Sequence, residues 1–325
     1  MNKFILSINL ILLFSLTNGK ADETKNYNVY HQRVIAAEIL IASENYKDAL
    51  QVYEELFENY EFVFLRDYKI ATQLAVHIQD FENAFKYLKL GISEGWTLKD
   101  IKKNKFIKPL TFRKEWNSVE DNYDAFRSKY NKRIDDDLRE DVQEMYKKDQ
   151  KFAIKYLFKI GQKAKERYGN KRGVPHARQQ IAKLNTIIDS KGYPGLKLIG
   201  ENQWMSTILA HHNSVSKEFV VNDTLYPLLR PKLLKAIAKG EMSPYDFAFI
   251  EDWKIAVKSN HEDTGYGFLD VPTEKEIVET NELRLSLNIR SIDTRNGLVD
   301  IQEKTGMNFY LFGEPWIEGK IVPVD

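Results

Sequence analysis

Apolar residues recur at helical spacing from residue 27 to residue 95, and the pattern repeats itself once. Residues 45–53 are echoed 35 residues later by residues 80–88, each beginning with Asn or Asp followed by an aromatic residue. The small residues Ala49 and Ala84 stand at matching places, where two helices would approach closely. Because apolar residues at a period near 3.6 form one face of a helix, the pattern predicts a pair of helical hairpins.

A helix-turn-helix period of about 34 residues is typical of tetratricopeptide repeats. Residues 27–95 therefore resemble one full repeat and part of a second. The usual proline after the second helix is missing, so a generic array of helical hairpins remains an alternative. The resemblance implies a groove for a peptide or partner protein, and a purely structural role is the other possibility. We expect residues 98–130 to form short helices that cap this array, with a domain boundary near residue 131.

Further helices are predicted in the second half of the chain, over residues 177–190 and from about residue 203. Pro231 and Gly240 bracket another helix, over residues 231–239. Ser243 has the features of a cap for the helix that follows, and Pro244 occupies its first position. Asp252 falls inside the apolar stripe of that last helix.

The carboxylate of Asp252 needs a cation or several hydrogen-bond donors, because an unpaired buried charge is very costly. His212 lies on the apolar stripe of the helix that begins near residue 203, and it is one possible partner. A carboxylate can orient an imidazole for general acid-base catalysis, so His212 and Asp252 are the candidate catalytic residues. A buried network that fixes helix packing and a ligand pocket are the alternatives. The candidate ligand-binding side chains are Trp204, His211, Tyr266 and Arg284.

Short motifs follow one another through residues 135–295. They are Asp149-Gln150, Tyr193-Pro194-Gly195, His211-His212-Asn213-Ser214, Gly240-Glu241, residues 248–253 and Tyr266-Gly267-Phe268-Leu269. Their order and spacing resemble a bacterial family known only as a domain of unknown function, which carries an Arg near the position of Arg284.

This chain departs from that family's pattern at several polar positions. The family's Gln-His-Ala-Asp is His211-His212-Asn213-Ser214 here, its Asp-Arg is Asp252-Trp253, and its Thr-Gln is Phe268-Leu269. If the family's polar residues form a catalytic pocket, several of them are replaced. The departures favour binding or structure over catalysis.

The N-terminus has the order of regions found in a secretory signal peptide. A positive start at Lys3 precedes an almost wholly apolar run over residues 4–16, and small and polar residues follow before Lys20. The run of about 13 residues is shorter than the roughly 20 needed to span a bilayer. A buried N-terminal helix is the alternative. With no cysteine for a lipid anchor, we expect a periplasmic or secreted protein without stable membrane insertion after cleavage.

The amino-acid composition excludes several kinds of partner and site. Lys and Arg total 48 against 47 Asp and Glu, so no overall positive field favours nucleic acid. The absence of cysteine excludes disulfides, thiolate metal sites and a Cys nucleophile. No His-x-x-x-His spacing and no glycine-rich phosphate loop occurs, so neither a metal nor a cofactor is predicted.

Two further segments stand out. Between residues 159 and 178 seven Lys or Arg face a single acid, with Gly169 and Gly173 as breakers, which is typical of a basic surface loop. Residues 307–324 carry aromatic and β-branched residues on both sides of Gly313-Glu314-Pro315. That composition predicts a short terminal β-hairpin or an extended arm.

The sequence thus predicts a mainly α protein with a signal peptide at residues 1–19. A tetratricopeptide-like helical repeat domain is expected at 20–130, and a helical domain with a terminal hairpin or arm at 131–325. The favoured role is noncatalytic binding of a protein or peptide in the cell envelope. The alternative is a hydrolase-like enzyme with His212 as base and Asp252 as its orienting partner.

Overall fold

The computed structural model describes residues 25–201, 203–312 and 317–325, and within them the chain is mainly α. The first helices are α1 (Tyr27–Ala42), α2 (Tyr46–Asn59), α3 (Leu65–His77), α4 (Phe81–Ser93), α5 (Leu98–Lys103), α6 (Glu115–Asp121) and α7 (Tyr123–Arg133). They are followed by α8 (Asp136–Leu157), α9 (Gln162–Tyr168), α10 (Val174–Lys191), α11 (Leu196–Ile199) and α12 (Gln203–Asn213). The last are α13 (Lys217–Asn222), α14 (Leu225–Ala238), α15 (Pro244–Ser259), α16 (Ile277–Ser286) and α17 (Ile292–Thr305). The predicted fold class is therefore confirmed.

The 35-residue echo appears in the backbone of two helical hairpins, α1–α2 and α3–α4. Glu44 and Gln79, which are 35 residues apart, both turn the chain with a φ of 62°. In each hairpin the next amide, of Asn45 or Asp80, donates to the carbonyl five residues earlier at 2.8 Å. The same side-chain pattern thus produces the same turn twice. Whether these hairpins belong to the tetratricopeptide family stays a prediction.

The hydrophobic core of the first helices includes the end of the chain. Leu298 and Ile301 of α17, with Met307 and Phe309 beyond it, are buried in the same cluster as the residues of α1–α4. A side chain at Gly297 would meet the Cβ of Ala42 at 2.9 Å, so α17 packs very closely against the end of α1. This core takes in residues from both sides of the predicted boundary near 131, and the division into two domains stays a prediction.

A second core joins α8, α10, α12, α14 and α15. Ser243 caps α15 as expected, since its Oγ accepts from the amide of Tyr245 at 3.2 Å. The helix predicted over residues 231–239 is longer, because α14 starts at Leu225 and contains Pro231. The missing amide of Pro231 removes one helical hydrogen bond. Burial of Tyr226 and Leu229 ahead of the proline supports this first part of the helix.

Two expectations concern the chain ends. Residues 1–19, the predicted signal peptide, lie outside the described residues, as do residues 313–316 at the predicted terminal turn. The described parts of the arm form no strand, and one parallel bridge joins Thr273 to Val324. No helix in the described part of the chain has the length and apolar content to cross a membrane.

Candidate functional site

His212 does not form the expected pair with Asp252. Its ring lies in the interior, with 1 % of the side chain exposed, and Nε2 is 2.9 Å from Oδ2 of Asp223. Nδ1 is 3.3 Å from the carbonyl oxygen of Ala177. Both ring nitrogens therefore face acceptors inside the helical core. The carboxylate beside this histidine belongs to Asp223, just after α13. The predicted pairing of His212 with Asp252 is therefore wrong.

Asp252 is held instead by backbone amides of the loop before α16. Its Oδ1 accepts from the amide of Tyr266 at 2.6 Å and its Oδ2 from that of Phe268 at 2.7 Å. Nε of Arg284 donates to the carbonyl of Tyr266 at 2.7 Å, which fixes the same loop. Burial raises the pKa of Asp252 to about 7, although the two amides and the charge of Arg284 act in the opposite direction. The structure thus joins Asp252, Tyr266 and Arg284 in a buried loop clamp.

His211 belongs to a different cluster, built from α8, α10 and α12. Its Nδ1 lies 2.6 Å from Oδ2 of Asp149, and Nε2 of His176 lies 3.5 Å from the other oxygen. Burial raises the pKa of Asp149, but the hydrogen bond with His211 and the nearby ring of His176 outweigh it and leave the pKa below its usual value. Asp149 is almost fully buried, whereas 37 % of the His211 side chain is exposed. The adjacent histidines therefore serve two different carboxylates.

Trp204 lies on the same helix as His211, two turns earlier. Its ring stacks on that of Tyr146 in α8, with centroids 6.2 Å apart and an angle of 25°. Trp204 and His211 thus share the contact between α8 and α12, while Tyr266 and Arg284 belong to the loop clamp. No group of three or more His, Asp or Glu side chains in the described part of the chain could hold a metal ion.

The pocket that sequence reasoning missed lies between the first hairpins and the helices of the second half. Its volume is about 560 Å³. Helices α1 and α3 form one wall, and α12, α15 and the terminal arm contribute the others. The residues lining it are His31, Val34, Phe64, Leu65, Arg66, Asp67, Lys69, Leu196, Gln203, Ser206, Thr207, Ser243, Tyr245, Asp246, Phe249, Arg290, Tyr310 and Phe312.

A buried ion network supports the charged wall of this pocket. Glu38 accepts from Nη2 of Arg66 at 2.6 Å and from Nε of Arg290 at 2.8 Å. Burial raises the pKa of Glu38, but the charges of Arg290 and Arg66 outweigh it and hold the pKa below its usual value. Nε of Arg66 also donates to the carbonyl of Phe309 at 3.1 Å, which ties α3 to the terminal arm.

Asp67 adds a second acid to the network. Its Oδ2 accepts from the hydroxyl of Tyr30 at 2.5 Å, and its Oδ1 lies 3.3 Å from Nη1 of Arg66. Burial raises the pKa of Asp67 to about 6, against the opposing charge of Arg66. The acids of this wall are therefore already engaged by groups of the protein itself.

Two side chains of the pocket, His31 and Lys69, have fewer polar partners in the described part of the chain. Nε2 of His31 is buried and has no hydrogen-bond partner among the described residues, and burial lowers the pKa of this histidine to about 3. The ammonium of Lys69 lies 5.8 Å from the ring centre of Trp96 and 5.1 Å from that of Tyr310. Burial lowers the pKa of Lys69, and within the described part of the chain no carboxylate forms an ion pair with it. An acceptor from outside the protein would satisfy both groups.

The 35-residue repeat in the sequence also relates the residues of α1 and α3 that line the pocket. His31 and Arg66 are 35 residues apart, as are Val34 and Lys69. The same repeat that produces the two hairpins therefore places matching residues of α1 and α3 side by side on the pocket wall. Applying the offset to the polar positions would have identified this wall.

Comparison with known proteins found no matching family model, no matching curated protein and no matching solved structure. The resemblances to tetratricopeptide repeats and to the bacterial domain of unknown function thus rest on the residues quoted for them, and both stay predictions.

Proposed function

We propose that the protein is a noncatalytic binding protein of the cell envelope, exported by residues 1–19, whose pocket takes a carboxylate together with an adjoining apolar group. The C-terminus of a peptide has this chemistry. The observation that supports the proposal most directly is the ammonium of Lys69, which is partly buried beside Arg66 and has no carboxylate partner in the described residues.

Arg66 supplies the second contact for the carboxylate. A guanidinium has five N–H donors, and three atoms of Arg66 already donate to Phe309, Asp67 and Glu38. Its two terminal nitrogens each keep one further N–H, and 23 % of the side chain is exposed. A planar fork with a neighbouring ammonium suits a carboxylate. The Nε2 of His31 offers a further polar contact.

The other walls suit an apolar group. Phe64, Phe249 and Phe312 line the pocket beside the charged wall. Ligand pockets combine apolar walls with a few polar groups that fix orientation, as this one does. The hydroxyl groups nearby serve the helices, since Ser243 caps α15 and Ser206 donates to the carbonyl of Gln203 at 3.2 Å. Neither therefore stands out as a nucleophile, which supports binding over catalysis.

The test uses two acetylated peptides ending in phenylalanine, one with a free carboxylate and one with a C-terminal amide. We expect titration calorimetry to detect the acid form only. Replacing Lys69 by Met should weaken binding by roughly tenfold to a hundredfold, since a hydrogen bond to a charged group contributes about 1.5–3 kcal/mol. The free energy of unfolding should stay equal or rise, because the variant removes an unpaired, desolvated charge.

Lys47→Met provides the control, since Lys47 is exposed on α2 and does not line this pocket. His31→Phe gives a second variant that fills the same space without a polar atom, and it should also weaken binding. Equal affinity for the acid and amide peptides, or binding that Lys69→Met leaves unchanged, would contradict the proposal. No heat with either peptide would contradict it as well.

A second function is supported by the contact between His211 and Asp149. A carboxylate on Nδ1 and an exposed imidazole edge are the arrangement of a general base with its orienting partner. In this hypothesis the protein is hydrolase-like, with His211 rather than His212 as the base. Hydrolysis of a nitrophenyl ester that is lost in His211→Gln, and whose pH profile changes in Asp149→Asn, would support it. Equal rates in both variants would exclude it.

A further inference from the structure

The end of α8 carries an unusual group of exposed apolar side chains. Ile154 is 52 % exposed, Leu157 71 %, Phe158 81 % and Ile160 94 %. We call these four residues the apolar tip. They follow one another within seven positions, where α8 ends and the chain turns at Gly161 with a φ of 84°. Single exposed apolar residues are ordinary, but a contiguous group is typical of an interaction site.

Basic residues flank the apolar tip in the sequence. Residues 151–173 contain eight Lys or Arg and one acid, Glu166. The basic residues are Lys151, Lys155, Lys159, Lys163, Lys165, Arg167, Lys171 and Arg172. No ion pair joins any of them to a carboxylate whose position the structure describes. The predicted basic loop over residues 159–178 is helical from Gln162 onward, since α9 and a π-helical turn at Gly169–Gly173 lead directly into α10.

Aromatic stacking holds the base of this projection. The ring of Phe152 stacks on that of Tyr168, with centroids 5.2 Å apart, and on that of His176 at 5.3 Å. A Cβ at Gly173 would meet the ring of Phe152 at 2.9 Å, so the absence of a side chain lets the chain approach α8. The contacts fix the end of α9 and the start of α10 against α8. The apolar tip is thus presented on a packed base.

We propose that the apolar tip docks on the surface of an anionic phospholipid bilayer. The apolar side chains would enter the boundary between headgroups and acyl chains, and the surrounding cations would contact the phosphates. Charge complementarity selects this occupant, because one acid among eight basic residues matches a continuous negative surface. The tip also consists of only four side chains, whereas a stable protein partner needs about 800 Å², or about 20–30 residues, on each side. Such docking is peripheral and requires no membrane-spanning helix.

Cosedimentation of the chain without residues 1–19, whose apolar run would itself bind lipid, with vesicles tests the proposal. One set is phosphatidylcholine alone, and the other is phosphatidylcholine and phosphatidylglycerol in equal parts. We expect binding to the anionic vesicles that weakens as salt is added. The double variant Phe158→Ser and Ile160→Ser should reduce partitioning about tenfold or more, since it removes two large apolar groups. Both residues are exposed, so the variant should fold.

Matched controls separate this site from general surface properties. Leu228→Ser and Leu285→Ser remove side chains that are 70 % and 68 % exposed elsewhere, and they should leave binding unchanged. Lys155→Glu with Lys163→Glu should reduce binding to anionic vesicles, whereas Lys103→Glu with Lys105→Glu should not.

Three results would overturn the proposal: no binding to anionic vesicles, equal binding to both vesicle types, or binding that the double serine variant retains. A dimer of the wild type that dissociates in the serine variant, without vesicle binding, would assign the tip to a second copy of the chain. That result would also overturn the lipid assignment.

Discussion

The carboxylate of Glu38 accepts a hydrogen bond from Nε of Arg290 at 2.8 Å, although 252 residues separate them in the sequence. Glu38 is completely buried in α1, and Arg290 is nearly so, just before α17. Arg66 of α3 bonds to the other oxygen of the same carboxylate. One acid therefore joins three separate parts of the chain directly behind the proposed ligand pocket.

Replacing Glu38 by Gln should destabilise the protein strongly. The substitution leaves the buried guanidinium of Arg290 without its counter-charge and removes one of the two acids beside Arg66. Breaking a buried ion pair typically costs about 3–5 kcal/mol. Urea unfolding of the two proteins measures the difference. Glu55→Gln is the control, since the Arg33–Glu55 pair is exposed on both sides and should contribute less than about 1 kcal/mol. Similar losses in the two variants would contradict this role for Glu38.

Gly240 should tolerate no side chain. It follows α14 with a φ of 69°, and a Cβ there would lie well inside 3.0 Å of the Tyr27 ring in α1. Gly240→Ala should cost about 1–2 kcal/mol for the left-handed conformation and about 1–3 kcal/mol for overpacking. Gly319→Ala is the matched control, because Gly319 has a φ of 63° and open space around it. Urea unfolding should show a clearly larger loss at Gly240.

The sequence predicted the elements well because their signals are local. The echo over residues 45–53 and 80–88 places the hairpins, and Ser243 with Pro244 places the start of α15. Helix periodicity and caps depend on side chains a few residues apart, which a single sequence displays. The fold class follows from these signals alone.

The partners of the polar residues were harder to predict. Asp252 was expected to need a cation or several hydrogen-bond donors, with His212 as one possible partner, and the donors are the backbone amides of Tyr266 and Phe268. Every residue except proline carries an amide, so no side-chain pattern reveals such donors. The ring of His212 contacts the carboxylate of Asp223, which lies 11 residues further along the chain. The pocket was not predicted from the sequence, because its walls come from α1, α3, α12, α15 and the arm, and only the tertiary fold brings these together.

Asp252 should make the stability depend on pH. Its pKa is about 7 in the folded protein, above the ordinary value of 3.8. Between these values the folded state binds the proton that the unfolded state has lost, so the contribution of Asp252 to the free energy of unfolding falls as pH rises from about 4 to about 7. His31, whose pKa is lowered to about 3, contributes in the opposite direction. One pKa unit corresponds to about 1.4 kcal/mol, which makes the full effect on the order of 4 kcal/mol.

Asp252→Asn isolates this contribution. The variant loses one of two amide contacts and should be less stable throughout, but the difference in free energy of unfolding between the wild type and the variant should shrink as pH rises from about 4 to about 7. Asp67, whose pKa is raised to about 6, contributes a fall of the free energy of unfolding with pH in both proteins. Urea unfolding at several pH values gives the two slopes. Parallel curves for the wild type and Asp252→Asn would show that Asp252 is ionised throughout the range.

Asp149 should act with the opposite sign, because its pKa lies below the ordinary value of 3.8. The stability it contributes is present above that value and is lost as pH falls through the lowered pKa. His211→Ala removes one of its two histidine partners and should cost about 1–3 kcal/mol near neutral pH, with a smaller difference in acid. His261→Ala provides the control, since the His261–Asp270 pair is far more exposed and should contribute under about 1 kcal/mol. If urea unfolding shows equal effects for the two variants at every pH, His211 makes no strong contact with Asp149, and the acid-base hypothesis loses its orienting carboxylate.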